Sequence, residues 1–272
     1  YETRNISKYK NDPSSEFYGA LGYLSELNLY KRKNLNTEHL LTPKILLRYA
    51  PDHMRKEDNG SRLNHLNVFS LDRLSSADNF ESGASATLGF EYEVKDSNRE
   101  FDFTLAQIIN KKENKQMPNS SSLNEKLSDV VGQSNLKIND SIKLNYNFAL
   151  DQNYNDFNYN EIGTSLNFNP IKFDFNYLRE REHIGDQEYF RTKAELKKGN
   201  NGLFKFENKR NLITDSSEYY NLSYEYLNDC LRAGLVYRRE FYNDSELESE
   251  NSLMFKITLT PFGDIVSPSF NE

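Results

Sequence analysis

The sequence predicts an all-β chain: an antiparallel up-and-down meander of about thirteen strands, each joined to the next by a hairpin. Three observations predict it. Apolar and polar residues alternate with period two in run after run, the pattern of a strand with two unlike faces. Many of these runs are longer than the five or six residues typical of globular strands and match the roughly 9–11 that cross a bilayer at a tilt. No stretch shows a convincing helical period.

The elements follow in order. Candidate strands lie at 17–31, 36–50, 81–95 and 99–110, where ASATLGFEYEV sets Ala84, Ala86, Leu88, Phe90, Tyr92 and Val94 opposite Ser85, Thr87, Glu91 and Glu93. Further runs span 128–138, 140–152, 157–168 and 170–181. Ile142, Leu144, Tyr146, Phe148 and Leu150 alternate with Lys143, Asn145, Asn147, Ala149 and Asp151. Ile171, Phe173, Phe175 and Tyr177 alternate with Lys172, Asp174 and Asn176. The last runs are 187–197, 202–213, 217–227, 229–242 and 251–261; in the final one Leu253, Phe255, Ile257 and Leu259 oppose Lys256, Thr258 and Thr260. Between runs stand turn residues: VKDSNRE, KKGNNG with Gly199 and Gly202, TDSSE, YNDSELESE, and Pro170 at a strand junction where no ladder bond is lost. Stretches 51–80 and 111–127 are not strand-like. The second, KKENKQMPNSSSLNEKL, reads as a long mobile loop.

Composition narrows the function classes. A net charge of −7 argues against a nucleic-acid footprint, which would be basic. A mean hydropathy of −0.83, with no run of about 20 apolar residues, excludes a spanning helix but fits strands of which one face is wet. The chain opens YETRNISKYK without Met, so residue 1 is not expected to be a native start.

Alternation alone does not say which face meets water. In a soluble sandwich the apolar face packs on a second sheet. In a partial transmembrane β-barrel it meets lipid, and the polar face lines a lumen. Long strands in hairpin sequence and a charged, amide-rich polar face favour the barrel; on the residues alone the sandwich stays open. In a barrel, Phe148, Phe173 and Phe175 face lipid.

Candidate chemistry is sparse. His39, His53, His65 and His183 are far apart and show no metal spacing. His183 with Asp186, and His65 with Ser70 and Asp72, are the only nearby pairs that could serve a rim hydrolase. Such pairs arise by chance in a polar chain, and no enzyme, cofactor or metal site is expected. The runs Arg179, Glu180, Arg181, Glu182 and Arg238, Arg239, Glu240 read as solvated strand ends. Cys230 is the only cysteine. It is either a small half-buried thiol or the partner of a cysteine outside this chain.

Two segments carry a family resemblance. In residues 67–94, Asn67, Phe69, Arg73, Asp78, Glu81 and Gly83 resemble the "N-x-F-x-x-x-R, then acidic-x-Gly, then strand" segment of the LptD family of lipopolysaccharide-assembly outer-membrane proteins. In residues 224–263, Tyr226, Cys230, Gly234, Tyr237, Arg239, Phe241, Phe255, Ile257, Leu259 and Gly263 resemble the penultimate and last strands of that family's barrel. The stretch TPKILLRYAPD is weakly similar to another family strand.

The resemblance implies that residues 1–272 form the C-terminal portion of an outer-membrane barrel domain, without the N-terminal jellyroll and first barrel strands. It implies a translocon that inserts lipopolysaccharide into the outer leaflet through a polar lumen and a lateral gate; a generic porin-like or structural barrel is the alternative. The implied partners are lipopolysaccharide, a plug lipoprotein of the LptE type, and periplasmic bridge proteins reached through the N-terminal domain, with no nucleic acid. Leu253, Phe255, Ile257 and Leu259 would form the lateral-gate strand. Cys230, flanked by Asp229 and Leu231 where the family commonly has adjacent cysteines, would form a disulfide to the periplasmic domain. In a chain of this extent the strands near 17–31 and 251–261 would be unpaired edges.

Overall fold

The computed structural model describes residues 19–271 apart from 35, 52–53, 59–61, 75, 77–78, 182–184, 229–230, 242–249, 260–262 and 267–269. The strands are β1 (Leu21–Glu26), β2 (Leu29–Asn34), β3 (Thr37–Ala50), β4 (Gly83–Lys95), β5 (Glu100–Asn110), β6 (Val130–Asn139), β7 (Ile142–Leu150) and β8 (Phe157–Phe168). They continue as β9 (Ile171–Glu180), β10 (Gln187–Lys198), β11 (Gly202–Asn211), β12 (Ser216–Leu227), β13 (Leu231–Glu240), β14 (Glu250–Leu259), β15 (Gly263–Val266) and β16 (Phe270–Asn271). From β3 onward, sheet order follows chain order, as an up-and-down meander requires.

The meander has fourteen strands along its path rather than thirteen, and each end differs from expectation for a local reason. The single strand expected at 17–31 is β1 and β2 in one lane, both antiparallel to β3 and in the same register. The interruption at Leu27–Asn28 lies opposite Thr42–Pro43. Leu27 N–H donates to Pro43 O at 3.2 Å, but Pro43 has no N–H to return. Thr42 Oγ1 instead donates to Asn28 Oδ1 at 2.9 Å. At the other end, β14 is not an unpaired edge. It pairs with β13 along one side and with β15 and β16 along the other.

Connections alternate between the two ends of the sheet. At one end are the tight links 35–36, 96–99, 140–141, 169–170, 199–201 and 228–230. At the other are 51–82, 111–129, 151–156, 181–186, 212–215 and 241–249. The residues form two compact units. One holds Tyr1–Leu136, Tyr146–Asn160 and Glu180–Asp186; the other holds Lys137–Asn145, Glu161–Arg179 and Gln187–Glu272.

In the second unit the register assigns each side chain to a face. One face carries Leu196 (β10), Phe204 and Phe206 (β11), Leu222 and Tyr224 (β12), Leu235 and Tyr237 (β13), and Leu253, Phe255 and Ile257 (β14). Leu196, Phe206, Leu222, Leu235, Leu253 and Phe255 are exposed, and no described apolar side chain between 187 and 259 is buried. Phe175 meets Phe173 and Phe190 on this face, with ring centroids 4.2 and 5.4 Å away. A sandwich would bury that face against a second sheet; exposure of so much contiguous apolar surface fits lipid contact.

The opposite face of the same strands is charged. Arg191 Nε donates to Glu207 Oε1 at 2.7 Å, and Tyr219 OH donates to the same oxygen at 2.8 Å. Lys205 and Arg232 reach the two oxygens of Glu225 at 2.8 and 2.7 Å. These pairs satisfy each other across neighbouring strands, so the polar face keeps its charges together in water.

The two faces predict opposite responses at adjacent positions in β12. Leu222→Arg should lower folding stability in a bilayer by about 2–4 kcal/mol, the depth-dependent cost of a lipid-facing arginine. Ser223→Arg, on the charged face, should change it by less than about 1 kcal/mol. Equilibrium denaturation of both variants in lipid vesicles measures the difference.

Candidate functional site

In the first unit the polar-face side of β3–β6 is covered by its own connections. On β3, Thr42, Leu46, Arg48 and Ala50 are buried, while Leu47 and Tyr49 are exposed. Their register partners on β4, Ser85 and Thr87, are buried, as are Ala106, Ile108 and Asn110 on β5 and Val131 on β6. Segments 51–82 and 111–129 supply the cover, with Met54, Leu63, Val68, Leu74, Met117 and Leu123 all buried. The hydrophobic core of this unit therefore lies between the strands and a strap made of two connections.

The strap is held by backbone bonds and amide caps. Glu57 N–H donates to Gln116 O at 2.9 Å, joining the two segments. Asn79 Oδ1 accepts from Arg55 N–H at 3.1 Å and its Nδ2 donates to Arg55 O at 2.9 Å. Asn110 Nδ2 donates to Glu125 O at 2.8 Å. The reading of 111–127 as a mobile loop is thus corrected. Its polar residues bond their neighbours, its 3-10 turn Asn119–Ser121 is ordered, and Met117 and Leu123 anchor it in the core.

One ionic cluster pins the strap to the sheet. Arg73 is 1% exposed. It grips Glu81 with Nε to Oε2 at 2.7 Å and Nη2 to Oε1, and reaches Ser85 Oγ at 3.1 Å. Arg48, from β3, donates Nε to Leu71 O at 2.6 Å and Nη2 to Glu81 O. A fork-shaped guanidinium suits both tasks, since it satisfies a carboxylate and a carbonyl in fixed directions. A second clamp joins Arg62 to Glu180 Oε1 at 2.7 Å, with the guanidinium 3.4 Å from the centroid of the Tyr159 ring. Glu180, read from the sequence as a solvated strand end, is buried.

The sequence-marked residues fall into two places. Asn67, Phe69, Arg73, Glu81 and Gly83 all build the strap. Asn67 caps the Arg62–Asn64 turn through its side-chain amide, with Asn64 N–H donating to its Oδ1 at 2.8 Å. Phe69 lies where Gly89 leaves room: a Cβ on Gly89 would stand 2.9 Å from the Phe69 ring and 2.5 Å from Leu105 O. Gly83, with φ 101°, turns the strap into β4 in a conformation that other residues rarely adopt. Asp78, Cys230, His53 and His183 lie outside the described residues. Tyr226, Gly234, Tyr237, Phe255 and Ile257 lie in β12–β14, and the gate candidates Leu253, Phe255, Ile257 and Leu259 share the apolar face of β14.

His39 Nδ1 lies 2.9 Å from the Tyr92 hydroxyl, a cross-strand contact. Among the described residues no group of His, Cys, Asp and Glu could hold a metal ion. Sequence reasoning missed Arg48, Arg62 and Tyr159 as clamps. Only Arg48 left a signal, as a charge at the end of an apolar strand.

The family model for LptD, LPS transport system D, matches residues 19–199, more than half of the chain. No curated protein matches it. Among solved structures it is similar to a triple mutant of Rh. blastica porin at 8% identity and TM-score 0.37, and to a double mutant of that porin at 9% and 0.38. Each alignment covers 94% of this chain and 99% of the porin.

Removing the Glu81 carboxylate leaves two buried guanidiniums without their shared anion. Glu81→Ala should destabilise the first unit by about 3–5 kcal/mol. Lys193→Ala, on the charged face of the second unit, should cost less than about 1 kcal/mol. Denaturant titration, together with limited proteolysis within 51–82, reads both effects.

Proposed function

The chain belongs to the LptD family, LPS transport system D, and is a protein of the Gram-negative outer membrane; on that premise we propose that it inserts lipopolysaccharide into the outer leaflet. The observation that carries this reading is the family match over residues 19–199. The division of the sheet into an exposed apolar face and a charged face supports it, because an amphiphile needs both environments along its route. The saccharide travels past the charged face while the acyl chains move to the apolar side. In barrels of the outer membrane the longer connections are extracellular and the tight turns periplasmic. The strap 51–82 and 111–129 then stands at the outer end.

The lateral opening runs along β14, with Leu253, Phe255, Ile257 and Leu259 as its lip. Among the described residues β14 pairs with β13 on one side and with β15 and β16 on the other. A plug lipoprotein of the LptE type, and periplasmic bridge proteins acting through an N-terminal domain, complete the assembly. Cys230, the chain's only cysteine, is its one candidate for a disulfide to that domain, in a compartment that maintains such bonds.

The test is a lock across the β14–β15 ladder. Thr258 and Asp264 are register partners. The double variant Thr258→Cys with Asp264→Cys should stop surface appearance of newly made lipopolysaccharide when oxidised, and dithiothreitol should restore it. Normal delivery with the bond formed would contradict the gate. Ion conductance through the purified protein, with no effect of its loss on surface lipopolysaccharide, would favour a porin-like barrel. Non-reduced mass spectrometry of the envelope protein should find Cys230 disulfide-bonded; a free thiol there, with normal delivery, would leave it a structural residue only.

A further inference from the structure

The apolar face of the first unit is not uniform. Register aligns two rows of side chains across β1, β3, β4 and β5. In the first, Leu21 faces Tyr49, Tyr49 faces Ala84, and Lys111 donates its N–H to Ala84 O at 2.9 Å. In the second, Tyr23 faces Leu47, Leu47 faces Ala86, and Ala86 faces Ile109. Two alanines thus lie side by side along β4 with large side chains on both flanks. The result is a cleft of about 590 Å³. Leu88, two residues beyond Ala86 on the same face of β4, lies just outside the cleft and is exposed.

The upper end is different in kind. Lys111 lies just past the end of β5, on the side of the sheet where the long connections emerge, and it is exposed. Among the described residues it makes no ion pair. Tyr49, beside it across Ala84, is exposed and offers a hydroxyl. An open apolar cleft with an exposed ammonium at one end is complementary to a lipid whose acyl chain leads to a phosphate. A porin-like surface without such a recess would present alternating large side chains and no fixed cation.

We infer that this cleft seats one acyl chain of a phosphate-bearing, multiply acylated lipid of the outer leaflet, with Lys111 holding the phosphate. The inference rests on the proposed function in one respect: the occupant is the delivered lipid rather than a bulk glycerophospholipid. The alanines set chain access, since larger residues at 84 and 86 fill the trough. Lys111 sets headgroup preference.

The chain contains no tryptophan, so a single one is a clean reporter. The protein carrying Leu88→Trp is placed in nanodiscs of dibrominated phosphatidylcholine, which quenches the indole, and diphosphorylated lipid A is titrated in. Leu222→Trp, on the apolar face of the second unit, reports general lipid contact. Dequenching at position 88 should need about fivefold less lipid A than at 222, the ratio expected for one interfacial lysine–phosphate contact. Lys111→Gln, or removal of the lipid phosphates, should bring the ratio to one, and Lys111→Arg should preserve it. Ala84→Leu with Ala86→Leu should abolish it while leaving the 222 reporter unchanged. Equal dequenching at both positions in the unaltered background, or a ratio indifferent to Lys111 and to phosphate, would overturn the seat. Surface delivery is measured separately. Preference without delivery removes the proposed function and leaves a lipid site, whereas delivery without preference removes the site alone.

Discussion

A strand that crosses hydrocarbon must pair each backbone N–H and C=O with a neighbouring strand, because no water is present to take their place. That constraint governs where this sheet is regular and where it breaks. β10–β14 run as long ladders with one bulge, at Lys209–Arg210. The lane of β1 and β2 breaks at the residue pair that contains Pro43, where a return bond cannot form. Once the backbone is satisfied, the strand period fixes the side chains: every second residue meets one medium and its neighbours meet the other.

The polar-face side of the first unit complicates this rule. There the face opposite the lipid side is not left to water but covered by a folded strap. The covered parts of β3, β5 and β6 then carry apolar residues on both faces. Ile45, Leu46 and Leu47 follow one another in β3, Ile108 and Ile109 in β5, and Val130 and Val131 in β6. Alternation fails at these points because both faces are dry, as in any strand buried on two sides. The strap repeats the logic with charge. Arg73, Arg48 and Glu81 are buried together: the carboxylate lies between both guanidiniums, and Leu71 O, Glu81 O and Ser85 Oγ accept further N–H groups, while Nη1 of each arginine is buried without a hydrogen-bond partner. The cluster fixes the strap to β3 and β4, and Arg62 with Glu180 fixes it to the end of β9.

The alternating strands were legible to within a few residues, since a long period-two pattern is produced by two media and by little else. The residues could not decide which medium lay on which side; exposure of Leu222, Leu235 and Phe255 did. β15 and β16 escaped notice because GDIV and FN are too short to show a period. The fold of 111–127 escaped because it hangs on Met117, Leu123 and a network of asparagine and serine bonds, none of which is periodic. Arg62 and Glu180 are separated by 118 positions, and nothing local marks either as the partner of the other. The strap motif from Asn67 to Gly83 was recognised by family pattern, while the geometry supplies its reason: a cap, a space-filling ring over Gly89, a buried ion pair and a left-handed turn.

The central claim is that β12 separates lipid from water with period two. A nitroxide scan from Tyr219 to Tyr226, in a Cys230→Ser background in lipid bilayers, tests it most directly. Collision rates with oxygen should peak at 220, 222, 224 and 226, and those with a water-soluble nickel chelate at 219, 221, 223 and 225. Oxygen and nickel profiles that rise and fall together, or that show no alternation, would contradict a membrane-spanning strand with one lipid face and one aqueous face.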